Sequence, residues 1–101
     1  LQGPNTLLNN TSSTALSYPH ASNKFTFIDY SIERGTNLRC GRLLIVNDSS
    51  SATIADNGFV EQGTVGVIFG VAIAGANVQL QYTTTNSGLN ATFKYSIKQW
   101  S

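Results

Sequence analysis

The chain has 101 residues and a mass of 10.8 kDa, which is enough for one domain and too little for two. Charged residues make up only 11% of it, and their place is taken by eleven serines, eleven threonines and ten asparagines. The net charge of +1 gives no electrostatic footprint for nucleic acid or an anionic membrane. No apolar run reaches 18 residues, so no membrane span or membrane insertion is predicted.

The first part of the chain is poor in apolar residues. Residues 1–23 are rich in Asn, Ser and Thr and contain Pro4 and Pro19. This composition predicts an extended lead-in, or a linker from a trunk, with at most one short edge strand. We therefore place the domain itself at residues 24–101.

The segment that follows is dense in β-forming residues. Residues 24–32 have aromatic or aliphatic side chains on both faces of a predicted strand, which favours burial on both sides or a bulge near Phe27. The apolar run 43–46 predicts a buried strand, and residues 52–54 a short one. Residues 47–51 and 56–58 have turn composition.

The strongest periodic signal lies at residues 65–73. Large apolar residues alternate there with small ones at period two, so the predicted strand has one bulky face and one nearly flat face. Neither face is polar, and glycine permits close approach of another backbone. We therefore predict that identical chains cover the flat face. The candidate residues for a trimer interface, or for packing, are Gly66, Ile68, Gly70 and Ala72.

Two further alternating segments complete the chain. Val78, Leu80 and Tyr82 are predicted to point inward, as are alternate residues from Phe93 to Ile97. Residues 65–98 are expected to form a central three-stranded meander. No segment has helical periodicity over eleven residues. The predicted class is all-β, an antiparallel β-sandwich or jelly roll without significant helix.

Five segments carry a resemblance to a known class of proteins. They read YSIERG, GRLLI, TVGVIF, VQLQYTTTNSG and ATFKYSIKQW, at residues 30–35, 41–45, 64–69, 78–88 and 91–100. This succession resembles the C-terminal domain of tailed-bacteriophage tail fibres and tailspikes over about residues 24–100. Its most specific part is the last strand pair.

The resemblance implies a non-enzymatic, homotrimeric tip of a virion tail appendage that attaches to a host-surface glycan or another receptor. It also implies that the domain acts outside the cell, without a cofactor. Two alternatives stay open: a stand-alone carbohydrate-binding module of a secreted enzyme, and a capsid decoration protein. An exposed aromatic row would favour the module, provided that the flat face of the strand at residues 65–73 is covered within one chain.

The candidates for glycan contact are Trp100, Tyr18 and His20. An aromatic face can pack on a sugar ring, although Trp100 is also placed to seal the end of a sheet or a contact between protomers. His20 is the only histidine, and no second histidine is present to form a metal site with it. Loop and strand carboxylates offer no catalytic pattern.

The charged residues and the single cysteine have structural interpretations. Asp29 and Glu33 are two carboxylates, as in the catalytic pair of a glycosidase. Salt bridges to Arg34 and Arg39 are the better explanation of why these two carboxylates are present. Asp56 and Glu61 lack the spacing of a calcium loop, which favours solvated loop carboxylates. Cys40 has no partner for a disulfide. It fits either a small buried or half-buried residue at the start of a strand or a thiol activated by neighbouring arginines.

Overall fold

The computed structural model describes residues 2–101, with side chains from Gly3 onward. These residues form strands and connecting turns without any helix. The eight strands are β1 (Gln2–Leu7), β2 (Ser12–Pro19), β3 (Phe25–Arg34), β4 (Asn37–Asn47), β5 (Ala52–Gln62), β6 (Val67–Ala74), β7 (Asn77–Thr84) and β8 (Ala91–Trp100).

The strands form two antiparallel sheets. The large sheet has the order β1-β8-β3-β4-β5, and the small sheet has the order β2-β7-β6. Their inner faces pack together and share one core, so the prediction of an all-β antiparallel sandwich is confirmed. A jelly roll is not confirmed, because β3, β4 and β5 continue as a meander within one sheet.

The prediction of a central three-stranded meander at residues 65–98 is wrong. β6 and β7 do pair as a hairpin, but β8 lies in the other sheet, between β1 and β3. Both β7 and β8 alternate with period two and present one apolar face, so sequence periodicity could not tell whether they share a sheet or face each other.

The segment at residues 1–23 contains two strands. β1 pairs with β8 at one edge of the large sheet, and β2 pairs with β7 at one edge of the small sheet. Leu7 and Tyr18 are buried in the common core. Threonine and serine side chains fit a pleated, half-exposed edge, and this compensates for the few large apolar residues.

Two local expectations are also corrected. β3 pairs in unbroken register with both neighbours, so it has no bulge near Phe27. The irregularity lies instead in β5, where Gly41 is opposite Phe59 but Leu43 is opposite Asp56. The predicted turn at residues 56–58 is therefore a β-bulge within a long strand, and Gly58 takes the positive φ of 85° that it requires.

The core consists of alternate residues from both sheets. On β3, Ile28, Tyr30 and Ile32 are buried, while their neighbours face solvent. Facing them from the small sheet are Val78, Leu80 and Tyr82, as predicted. Tyr30, Phe69 and Phe93 form an aromatic cluster across the sandwich, with ring centroids 5.3 to 6.0 Å apart. This packing fixes which face of each strand is left outside.

Candidate ligand-binding surface

The outer face of the large sheet has an unusual composition at the end where β3 begins. Phe25 lies opposite Val46 on β4 and opposite Trp100 on β8, and Phe27 lies opposite Leu44. Since directly paired residues point to the same side of a sheet, these side chains form one surface. We call it the aromatic patch; its members are Phe25, Phe27, Leu44, Val46 and Trp100.

The rings of the aromatic patch support one another. Phe25 and Trp100 are nearly parallel, with centroids 6.0 Å apart, and the edge of Phe27 meets Trp100 at 5.0 Å. Such contacts hold Trp100 in a fixed orientation. Trp100 is nevertheless 42% exposed, and Phe25 and Val46 are 41% and 48% exposed. A cluster of large apolar side chains held open to solvent marks an interaction site.

Charged groups border the aromatic patch. The ammonium of Lys98 lies 5.9 Å from the centre of the Trp100 ring, at cation–π distance. Two positions after Phe27 on β3, Asp29 accepts hydrogen bonds from Arg42 on β4 at 2.6 and 3.2 Å. These bonds lower the pKa of Asp29, so its carboxylate stays ionised in the pair. The patch is thus apolar at its centre and has hydrogen-bonding groups at its rim.

The three predicted glycan contacts do not lie on one surface. Trp100 faces outward, on the same side of β8 as Lys98. Tyr18 lies in the core with 6% of its surface exposed, and burial raises the pKa of its phenol. His20 follows β2, and its Nε2 lies 3.1 Å from the carbonyl oxygen of Gly75, in the turn between β6 and β7. Only Trp100 belongs to the aromatic patch.

Three of the four candidate interface residues lie on the outer side of β6, and Gly66 directly precedes that strand. Gly66 has a φ of +67° and is packed against Thr85 and Arg34. Ile68 is 72% exposed, whereas an added Cβ at Gly70 would contact nothing within 4 Å. Ala72 is half-buried beside Gln79. Within the described chain this face is not covered.

Arg34 is a buried structural residue that the sequence analysis did not identify. Its side chain is 1% exposed, and its five N–H groups donate to five acceptors. The acceptors are the carbonyl oxygens of Val65, Thr85 and Leu89, the Thr85 hydroxyl and the Asn9 side-chain oxygen. Its parity with Ile28, Tyr30 and Ile32 was the available signal for an inward position.

The predicted pairing of Asp29 and Glu33 with Arg34 and Arg39 is wrong. Asp29 pairs with Arg42, and Arg39 pairs with Glu61 at 2.9 Å. Arg34 bonds only neutral groups among residues 2–101. The pairs are set by register, because Asp29 lies directly opposite Arg42 and Arg39 directly opposite Glu61. The expectation that Glu61 is a solvated loop carboxylate is corrected by the same pair.

The remaining chemistry-bearing residues are dispersed. Residues 2–101 contain no cluster of three His, Cys, Asp or Glu side chains able to hold a metal ion. The expectation that Cys40 is buried or half-buried is wrong, because its side chain lies on the outer face of β4 and is exposed. It lies beside a shallow groove of about 290 Å³ that Leu38 and Val60 also line. Over the same part of the chain, no helix has the length and hydropathy needed to cross a bilayer.

Comparisons with protein-family models, with curated proteins and with solved structures found no match for this chain. A functional interpretation therefore depends on the geometry of the aromatic patch, together with the resemblance of the sequence segments described above.

Proposed function

We propose that this chain is a non-enzymatic adhesion domain whose aromatic patch binds a glycan. In the setting that the sequence resemblance implies, it is the distal domain of a phage tail fibre or tailspike, and the glycan belongs to the host surface. The observation that carries the proposal is the exposed Trp100 side chain, held by Phe25 and Phe27 on the outer face of the large sheet.

The chemistry of the aromatic patch suits a sugar. The apolar face of a pyranose ring packs on a flat aromatic ring, and its hydroxyl groups need donors and acceptors at the edge. Lys98 offers a donor beside Trp100, and Ser96 on the same strand offers a hydroxyl. A shallow surface of this kind binds by stacking and a few hydrogen bonds, without a catalytic pair in a cleft.

The size of the expected effect follows from the exposed area of the indole. An exposure of 42%, applied to the ~250 Å² of a large aromatic side chain, leaves about 100 Å² free. A sugar stacked on one face covers about half of this area. At ~25 cal/mol per Å² that burial contributes ~1.3 kcal/mol, so loss of the ring weakens binding about tenfold.

The homotrimer belongs to the same proposal and is supported by the uncovered outer side of β6 and by the low charge of the chain. A second candidate function is a monomeric carbohydrate-binding module, which the exposed aromatic patch also favours. That module would be a monomer, and the uncovered outer side of β6 argues against a monomer. A capsid decoration protein stays a weaker alternative, and it predicts no glycan affinity.

Intrinsic fluorescence tests the proposal directly, because Trp100 is the only tryptophan. The chain is first screened on an array of neutral, N-acetylated and acidic oligosaccharides. Each oligosaccharide that binds is then titrated while the Trp100 emission and its quenching by acrylamide are recorded. We expect a blue shift and protection from the quencher.

Trp100→Ala, measured by calorimetry, is expected to weaken binding about tenfold. Val60→Ala is the matched control, because Val60 is exposed on the other end of the same sheet face, and its affinity is expected to be unchanged. Binding that leaves Trp100 emission unaltered, or equal losses in both variants, would refute a site at the aromatic patch. Light scattering separates a trimeric tip from a monomeric module.

A further inference from the structure

The aromatic patch is the beginning of a longer exposed row that crosses the large sheet. Trp100 on β8 is paired with Phe25 on β3, Phe25 with Val46 on β4, and Val46 with Thr53 on β5. Directly paired residues point to the same side of a sheet, and all four side chains are exposed. The row therefore continues beyond the aromatic patch as far as the edge strand β5.

A pocket of about 200 Å³ lies at the β5 end of this row. Its lining comprises Val46 and Thr53 of the row, together with Asn47, Asp48 and Ser51 at the turn that joins β4 to β5. The apolar part of the row thus ends at a cavity that offers a carboxylate and two hydroxyl groups. A carboxylate and hydroxyls are hydrogen-bonding groups of the kind that sugar hydroxyls need.

Hydrogen bonds hold this turn in place before any ligand binds. The side-chain amide of Asn47 donates to the carbonyl oxygen of Asn23 at 2.7 Å. Oδ1 of Asp48 accepts from the N–H groups of Ser51 and Ser50 at 2.8 and 2.9 Å, and these bonds lower the pKa of the Asp48 carboxyl. The carboxylate is therefore ionised. Its second oxygen has no partner among the residues that the structure describes, so it is available to a ligand.

The charges around the row determine its direction. Along β3 and β4 the apolar surface ends after Phe27, because the ion pair of Asp29 and Arg42 follows. Across the strands, no charged side chain interrupts the row from Trp100 to Thr53. Neighbouring strands are ~4.8 Å apart, so the four positions of the row span ~14 Å. Successive rings of an extended chain of β-linked pyranoses advance by a similar distance.

We propose that the row binds a neutral, extended oligosaccharide of about four β-linked pyranose units, one for each strand that it crosses. One terminal ring lies on Trp100, and the other lies in the pocket beside Asp48. This inference rests on the proposed function, since it assigns the length, direction and charge of the glycan bound at the same surface.

The two ends of the row account for this choice of ligand. The middle rings pack on Phe25 and Val46, and a hydroxyl of the last ring donates to the available oxygen of Asp48 in a charge-assisted hydrogen bond. Asp48 forms no salt bridge within residues 2–101. A chain with a carboxylate on every ring would place a like charge next to it, and the repulsion disfavours such a ligand.

Calorimetric titration with oligosaccharides of defined length tests the row. The probes are cello-oligosaccharides, chito-oligosaccharides and β-linked oligomers of glucuronic acid, each with two, four and six units. In the neutral series, four units are expected to bind about tenfold tighter than two, because the added rings cover about as much apolar surface at Val46 as the first covers at Trp100. Six units are expected to add only the statistical gain of alternative registers. The glucuronic acid series is expected to gain nothing from length.

Asp48→Asn tests the far end of the row. The variant retains Oδ1 as the acceptor within the turn but loses the charge, so four-unit binding is expected to weaken about tenfold and two-unit binding to be unchanged. Glu33→Gln is the matched control, because Glu33 is an exposed carboxylate on the same sheet face, opposite Leu38 and away from the row. It is expected to change neither affinity. In amide spectra of the unmodified chain, the Ser51 and Thr53 resonances are expected to shift with four units but not with two.

The outcomes separate this inference from the proposed function. Trp100-dependent binding that is equally strong for two and four units, or that leaves the Ser51 and Thr53 resonances unmoved, would overturn the row alone. An Asp48→Asn variant that binds four units like the unmodified chain would do the same. Binding by glycans of the array but by neither neutral series would also overturn only the row. If no oligosaccharide of the array binds in a Trp100-dependent way, the row and the proposed function are both refuted.

Discussion

Replacing Arg34 by lysine tests how far the fold depends on the shape of one buried guanidinium. Arg34 joins three connections, because its five donors reach the β1–β2 loop, the β5–β6 loop and the β7–β8 loop. A lysine ammonium has the same charge but only three donors, and all of them radiate from one point. At least two acceptors of the network therefore lose their partner in Arg34→Lys.

The expected loss follows from the positions of the acceptors. Hydrogen bonds to a charged group contribute ~1.5–3 kcal/mol each. Most acceptors of Arg34 are only partly buried, so water compensates in part and the lower value applies. Two lost bonds then cost ~3 kcal/mol, a large share of the ~5–15 kcal/mol typical of a small domain. The urea midpoint should fall by roughly 2 M at a slope of ~1.5 kcal/mol per M.

Urea unfolding followed by far-ultraviolet circular dichroism measures this change. Arg42→Lys is the matched control, because Arg42 also bonds a neighbouring strand but does so at the surface. Its midpoint is expected to be that of the unmodified chain. If Arg34→Lys also unfolds at the unmodified midpoint, the five-bond network does not hold the loops, and our account of Arg34 is refuted.

Two further predictions concern backbone conformation and pH. Gly66→Ala is expected to destabilise the fold by ~1–3 kcal/mol, because Gly66 has a φ of +67° and an added Cβ would meet Thr85. Gly70→Ala is the control, since its added Cβ enters open space and is expected to change stability by under ~1 kcal/mol. Equal urea midpoints for the two variants would contradict this prediction. Burial raises the pKa of Tyr30 to about 12, above the ~10 of an unfolded chain. The stability that this shift contributes is complete below pH 10 and is lost as pH rises towards 12. Tyr30→Phe is therefore expected to show a smaller fall in urea midpoint between pH 8 and pH 11 than the unmodified chain, and an identical fall would refute the assignment.

The alternation of residues predicted the strands and their inward faces well. Residues 77–84 alternate cleanly, and the structure buries Val78 and Leu80 as predicted. At residues 24–32 burial on both faces or a bulge was expected, but only the face of Ile28 and Tyr30 is buried, and Phe25 on the other face is 41% exposed. Trp100 faces outward together with Lys98, because the two residues are two positions apart on β8. These successes have one cause, since the side-chain period of a strand is fixed by backbone geometry.

Features that depend on distant residues were not predictable in this way. The bulge at residues 57–58 reads as a turn in the sequence, and its location inside β5 is apparent only from the pairing with β4. The aromatic patch required Phe25 and Trp100 to be neighbours, although 75 positions separate them in the chain. Phe25 and Phe27 share a face because they are two positions apart on a strand, but no local pattern assigns them to the neighbourhood of Trp100.

The composition and the period-two pattern alone determined that this chain is an all-β, low-charge protein with two-faced strands. The tertiary structure decided which strands share a sheet, which arginine meets which carboxylate, and which edge is left open at β6. The physical reason is that periodicity is a local property of the backbone. Partner choice, in contrast, is set by the free energy of burying complete faces against one another, and many pairings satisfy the same local pattern.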